Sequence, residues 1–379
     1  MIRQQQFLAW PHTDNFTKED RRWFVDRDNP DCPLSRYIGN DRAVKRLARA
    51  AFVAWGNRNH ICDQNFALVG PASTGKTTLA KLFAETIMLP FVEIHPKSID
   101  CVNDILAKIA EVCQNIGDGN KTMELVPQKH DGKDMRFLLP PMVVFIDEVH
   151  ALKETIVHGL LKATERNDSK LVTEVNFSAD CSNVCWIIAT TERGKLFDAF
   201  DTRFTKIDLK LYSAEEIAQI VQLNNPDWDL DVCRLVAKYA GRVPREALAF
   251  AKEMRDEHEM YEDEWSDVAR VVAEDNGIDE FGMTYRRLDI LKALGQGPIA
   301  TARLADVAGC KKEELEKFIM PALLAAPALV KTSSRGYSIT EAGLEELDKR
   351  GIDHNGVNAV VGRVPNKLLD RCLLDPSAN

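Results

Sequence analysis

The chain has 379 residues, 45% of them hydrophobic and 28% charged, with a net charge of −9. That length exceeds one compact core, and the composition is that of an ordinary globular protein. The acidic balance excludes a surface that clamps nucleic acid everywhere, so any such contact is local. No apolar run nears the roughly 20 residues of a membrane span, and "MIRQQQFLAWPHTD" has neither the apolar core nor the cleavage site of a signal peptide. Nine scattered cysteines form no paired framework, and the closest pair, Cys181 and Cys185, lacks a second pair at zinc spacing. Buried free thiols and a cytoplasmic location are therefore expected, with no membrane partner.

Residues 1–32 carry Trp10 and Trp23 ahead of "NPDCP" and read as an arm, packed on its own domain or on a neighbouring copy. Residues 33–210 read as an α/β domain with a parallel sheet. Within it, "FALVGPASTGKTT" has the G-x-x-x-x-G-K-[ST] spacing of a phosphate-binding loop between strand and helix. Gly70 and Gly75 let the backbone curl around an anion, Lys76 brings a charge to the β- and γ-phosphates, and the Thr77 hydroxyl suits Mg²⁺. Thr78 completes the cradle at the positive end of the following helix. ATP with Mg²⁺ is the implied cofactor.

"FVEIH" reads as a strand, and "SIDCVNDILAKIAEVC" as a helix capped by Ser98 with an apolar stripe at 99, 102, 105, 106, 109 and 112. Residues 116–140 read as a long irregular loop, either a surface insertion or a pore lining with Lys129, Lys133 and Arg136 near DNA. "PPMVVFIDEVHAL" is a buried strand ending in Asp147, placed for the Mg²⁺ shell, and Glu148, placed to polarise a water. "VCWIIATT" is a neighbouring strand whose Thr190 or Thr191 offers a hydroxyl beside that water. Arg203 is too far along the chain to serve the same site easily. It reads equally as an arginine finger toward another subunit or as a surface arginine in a salt bridge.

Residues 211–280 read as a helical lid, with a Ser213–Glu216 capping box and Pro244 starting the helix that carries Arg245. Residues 281–350 read as a winged helix of net charge +2, eleven basic residues against nine acidic, a shift toward phosphate affinity. Lys311 and Lys312 at its third helix, and Lys331 and Arg335 on its wing, are the DNA-backbone candidates. Residues 351–379 form a tail with a short amphipathic piece, "RVPNKLLDRCLL".

The order "LSRYIGNDRAV", "LVGPASTGKTTLA", "VVFIDEVHAL", "IIATTERGKL", "TRF", "LKLYSAEEIAQIV" and "AGRVPREAL" resembles AAA+ ATPases, and within them the RuvB family of Holliday-junction branch-migration motors. The resemblance implies that Tyr37, Ile38 and Tyr212 surround the adenine and that Thr190 is the first sensor. It implies that Arg203 acts in trans and that Arg245 reaches the γ-phosphate from the lid. It also implies a hexameric ring on branched or duplex DNA, and a junction-recognition partner held by a hairpin ahead of Thr190. Here that segment, "NDSKLVTEVNFSADCSNVCW", is shorter than the family's and lacks an apolar tip containing glycine. The function expected is an ATP-driven DNA motor; the alternative is an ATP-gated loader or platform that recruits a protein to DNA.

Overall fold

The computed structural model describes residues 31–56, 64–116, 126–130, 134–165, 168–172, 178–191, 200, 202–241, 243–324, 328–333 and 335–354. The arm and all but the start of the tail lie outside them. The chain divides into two compact units, Met1–Lys210 and Leu211–Asn379. Among the described residues no helix is long and apolar enough to cross a membrane.

The first unit is built on a five-stranded sheet. Its strands are β1 (Asn65–Val69), β2 (Phe91–Ile94), β5 (Met142–Ile146), β8 (Val184–Thr190) and β9 (Phe204–Asp208), in the order β2-β5-β8-β1-β9. Every pairing in it is parallel. Such a sheet is covered on both faces, which explains the unbroken apolar runs. Alternate residues go to opposite sides. Val144, Ile146, Trp186 and Ile188 pack with Ile105 and Ile109 of α3 (Val102–Ile116) and Ile156 and Leu160 of α4 (Glu154–Ala163). Val143, Phe145, Ile187 and Ala189 pack with Leu47 of α1 (Asp41–Gly56) and Leu79 and Phe83 of α2 (Lys76–Thr86). Burying each of these larger side chains contributes about 1.5–3 kcal/mol. Cys181 and Cys185 are buried thiols; burial pushes Cys185 up to about 12 and Cys181 further, which suits core packing. No cluster of three metal-ligating side chains occurs among the described residues.

Two expectations are corrected here. Residues 116–140 are not one irregular loop: β3 (Val126–His130) and β4 (Asp134–Leu138) form an antiparallel hairpin. β4 then pairs in parallel with β7 (Ser178–Asp180), which pairs with β6 (Lys170–Val172), giving a second sheet in the order β3-β4-β7-β6. The strands are short, β4 and β7 lie far apart in sequence, and Pro127 weakens the local signal. Pro is tolerated there because β3 is an edge strand. Nor does Ser98 cap α3. It ends a 3₁₀ turn, Pro96–Ser98, and donates to the His95 carbonyl at 2.8 Å. Asp104, inside the first turn, instead accepts the Asp100 and Cys101 N–H groups at 2.6 and 3.0 Å, which hold its carboxyl below the ordinary range.

The second unit has two apolar cores. One lies among α5 (Ala214–Asn224), α6 (Leu230–Tyr239), α7 (Pro244–Tyr261) and α8 (Trp265–Asp275). Ser213 and Glu216 complete the capping box of α5. The other lies among α9 (Tyr285–Leu294), α10 (Thr301–Val307), α11 (312–324) and α12 (Glu341–Asp348) with the hairpin β10 (Val330–Ser333) and β11 (Gly336–Ile339). α11 is interrupted by a π-turn at Leu315–Ile319.

Candidate nucleotide site

The carboxyl ends of β1, β5 and β8 meet at one edge of the sheet. At the end of β1, Gly70 donates its N–H to the Thr190 carbonyl at 3.2 Å. A Cβ on Gly70 would lie 2.7 Å from the Leu209 carbonyl oxygen, so this close approach requires glycine. The loop turns through two left-handed residues, Ser73 (φ 61°) and Gly75 (φ 75°). Ser73 is a non-glycine residue held there at a conformational cost. Lys76, the first residue of α2, is buried, and its Nζ donates to the Gly70 and Pro71 carbonyls, both at 2.9 Å. A cation at a helix N-terminus opposes the helix dipole. A buried ammonium beside that positive end fits a site made for a polyanion. Thr77 is half-buried and Thr78 exposed at the same turn.

Tyr37 contacts the phosphate loop directly. Its ring is buried in the core, and its hydroxyl donates to the Thr74 carbonyl at 2.6 Å. The side chain is thus a strut under the phosphate loop, while Ile38 beside it is partly exposed.

β5 is buried throughout and delivers Asp147 and Glu148 to the same edge. Burial, and then the neighbouring Glu148 charge, push the Asp147 carboxyl above its ordinary range; Lys76 offsets this in part. A carboxylate left short of positive charge fits a divalent cation. Glu148 has left-handed backbone (φ 48°, ψ 51°). Its carboxylate accepts the Thr191 N–H at 3.1 Å and the Thr191 hydroxyl at 2.9 Å. His150 Nδ1 lies 3.3 Å from that carboxylate oxygen and 2.9 Å from the Thr190 hydroxyl.

The two threonines therefore differ. Thr190 is 1% exposed and meets His150, whereas Thr191 meets Glu148. Successive residues at a strand end point to opposite sides, so one hydroxyl serves each neighbour. Thr191 is the residue in contact with the acid, while Thr190, the expected first sensor, meets His150. The sequence reading does not single out His150. The signal for it is its place two residues after Glu148, in the 3₁₀ turn Val149–Ala151 that follows the acidic pair.

Arg203 lies at the other edge. Phe204, the next residue, pairs with Asn65 at the amino end of β1, four residues from Val69, or about 13 Å of strand. Its guanidinium is 3.8 Å from the Glu165 carboxylate, in a groove shared with Arg46 and Arg49. In the second unit, Tyr212 packs into the four-helix core. Arg245 is exposed at the second position of α7, and Lys311, Lys312, Lys331 and Arg335 are all exposed. Lys133 and the side chains of Lys129 and Arg136 lie outside the described residues.

Residues 66–212 match the model of the AAA family, ATPases associated with various cellular activities. A comparison with curated protein sequences gives no match. Among solved structures, a point mutant of Thermotoga maritima RuvB superposes with a TM-score of 0.65 at 22% identity, covering 83% of this chain and 96% of that one. The Thermotoga maritima RuvB Holliday junction branch migration motor gives 0.64 at 22% identity, covering 86% and 98%. A second point mutant of the same protein gives 0.64 at 21% identity, covering 83% and 97%.

Proposed function

We propose that this chain, whose residues 66–212 match the AAA family model and whose fold is that of RuvB, is a divergent AAA+ ATPase that works as an oligomeric motor on branched or duplex DNA. The observation that carries the catalytic part is the contact of Glu148 with Thr191 and His150 at the edge where Lys76 and Asp147 also stand. Gly70, Gly75, Lys76 and Thr78 would hold the phosphates, and Thr77 and Asp147 the Mg²⁺. When bound, the metal supplies charge neutralisation at the transferred phosphoryl group. Glu148 takes the proton of the attacking water, and Thr191 fixes the carboxylate's direction. Tyr37 stiffens the loop; Ile38 and Tyr212 are assigned to the adenine side, and Arg245 to the γ-phosphate.

Arg203 supports a ring. It stands about 13 Å of strand from its own phosphate loop, beside Glu165, and we assign it to the site of another copy. We assign residues 211–280 as a lid and 281–350 as a winged helix, whose Lys311, Lys312, Lys331 and Arg335 contact the DNA backbone. A hexamer and a cytoplasmic location complete the reading; a junction-recognition or other protein partner is open, because the segment ahead of Thr190 is short and lacks an apolar tip.

One observation favours the platform alternative. Lys312, a DNA-backbone candidate of α11, is 3.9 Å from Glu316, so an acid one turn along offsets its charge. ATP turnover, alone and with four-way-junction or duplex DNA, decides between them. A motor shows strong DNA stimulation that Arg203→Ala removes, about 10³–10⁵ in rate. Slow turnover indifferent to DNA supports the platform.

A further inference from the structure

Arg245 is followed in α7 by Glu246, and that neighbour faces another element. Arg287 of α9 places its guanidinium against Glu246, with Nη2 donating to both carboxylate oxygens at 2.7 and 2.6 Å. The arginine side chain is only 6% exposed. Its N–H is also capped by the Thr284 hydroxyl. Gly241, with φ +59°, precedes α7; a Cβ there would lie 2.2 Å from Arg287 Nη1. The backbone has been cleared for this guanidinium.

The connector between α8 and α9 is closed from both sides. Gly282, with φ +82°, sits where a Cβ would be 2.0 Å from the Lys238 carbonyl at the end of α6. Asp279 accepts the Phe281 and Met283 N–H groups and both Nε and Nη2 of Arg350, the latter at 2.6 and 3.2 Å. Arg350 also binds Glu346 at 2.7 Å and stacks over Phe281 at 4.7 Å. A hinge is a segment free to absorb backbone rotation; this connector is pinned by two buried arginines and two glycine close approaches.

We propose that the Glu246–Arg287 pair is the joint that carries nucleotide state from the start of α7 to the C-terminal module, so that lid and module move as one body. The inference rests on the reading of Arg245 as a phosphate sensor. Arg245 and Glu246 share the first turn of one helix, so any tilt that brings Arg245 to a phosphate moves Glu246 with it. Both bonds leave one nitrogen, Nη2, so the contact ties the two side chains at a fixed distance. The arginine is buried while Glu246 is 37% exposed, and such a pair is seldom the most stabilising filling for its space. Glu246 and Arg287 are positioning residues and touch no substrate.

Hydrogen exchange on the full chain, with and without Mg²⁺ and adenylyl imidodiphosphate, tests this. In the parent, α7 and α9 both gain protection with nucleotide. In Glu246→Gln, the response of α7 persists and that of α9 is lost; the exchange of charges in Glu246→Arg with Arg287→Glu restores it. An undiminished α9 response in Glu246→Gln overturns the joint. If that variant does not fold, the charge-exchanged protein decides: α9 responding supports the joint, and α7 responding alone overturns it. An α7 that ignores nucleotide in the parent instead removes the sensor reading, and the joint with it.

Discussion

Asp147 and Arg350 are both charged groups withdrawn from water, and they are treated in opposite ways. Arg350 has two carboxylates and an aromatic face around it. Asp147 has one backbone N–H and an acidic neighbour, and burial pushes its carboxyl up while Lys76 offsets this only in part. The backbone also marks the site: Ser73 and Glu148, neither of them glycine, are held in left-handed conformations there. A region that holds its shape satisfies its charges internally, while a region that receives a ligand leaves charges for the ligand to satisfy.

The largest way to break this contrast is Arg350→Met. It leaves Asp279 buried without its cation, and a loss of about 3–5 kcal/mol is expected in the denaturation of the second unit. Nucleotide binding by the first unit should be unchanged, read by fluorescent-nucleotide titration. Gly70→Ala comes next: the new Cβ presses on the Leu209 carbonyl, and a loss of about 1–3 kcal/mol is expected, with weaker nucleotide binding. Ser213→Ala removes one half of the α5 capping box and should cost about 1 kcal/mol by urea denaturation, with no effect on the phosphate loop.

The smallest effect has the opposite sign. Asp147 holds its proton more tightly folded than unfolded, because burial raises its carboxyl. Its ionised form therefore costs stability at neutral pH, and the cost disappears as pH falls through the raised value. Asp147→Asn should melt slightly higher than the parent at pH 7, with the gap closing in acid. With Mg²⁺ and ATP the order should reverse. Thermal melts over a pH series check both.

The phosphate loop, the acidic pair and the parallel sheet are legible in the sequence because each rests on a local rule: glycine spacing, an apolar run, a charge at its end. The capping box of α5 is legible for the same reason. The second sheet is not, since β4 finds β7 only after a long excursion and no residue in "DMRFL" announces its partner. The bond from the Tyr37 hydroxyl to the Thr74 carbonyl is not legible either, since it spans 37 residues. The choice between Thr190 and Thr191 turns on which way the strand's last residues point. His150 could be read from its place two residues after Glu148, but its contact with Thr190 and the Glu246–Arg287 pair are tertiary juxtapositions across 40 and 41 residues. No spacing rule reaches that far.

The most direct measurement is single-turnover hydrolysis of ATP by the parent and by Glu148→Gln, with binding of Mg²⁺ and ATP titrated in parallel. The account predicts that the two proteins bind alike and that the variant hydrolyses about 10²–10⁴-fold more slowly. Equal hydrolysis rates would contradict the assignment of Glu148 as the residue that activates water, and with it the reading of this edge as the catalytic site.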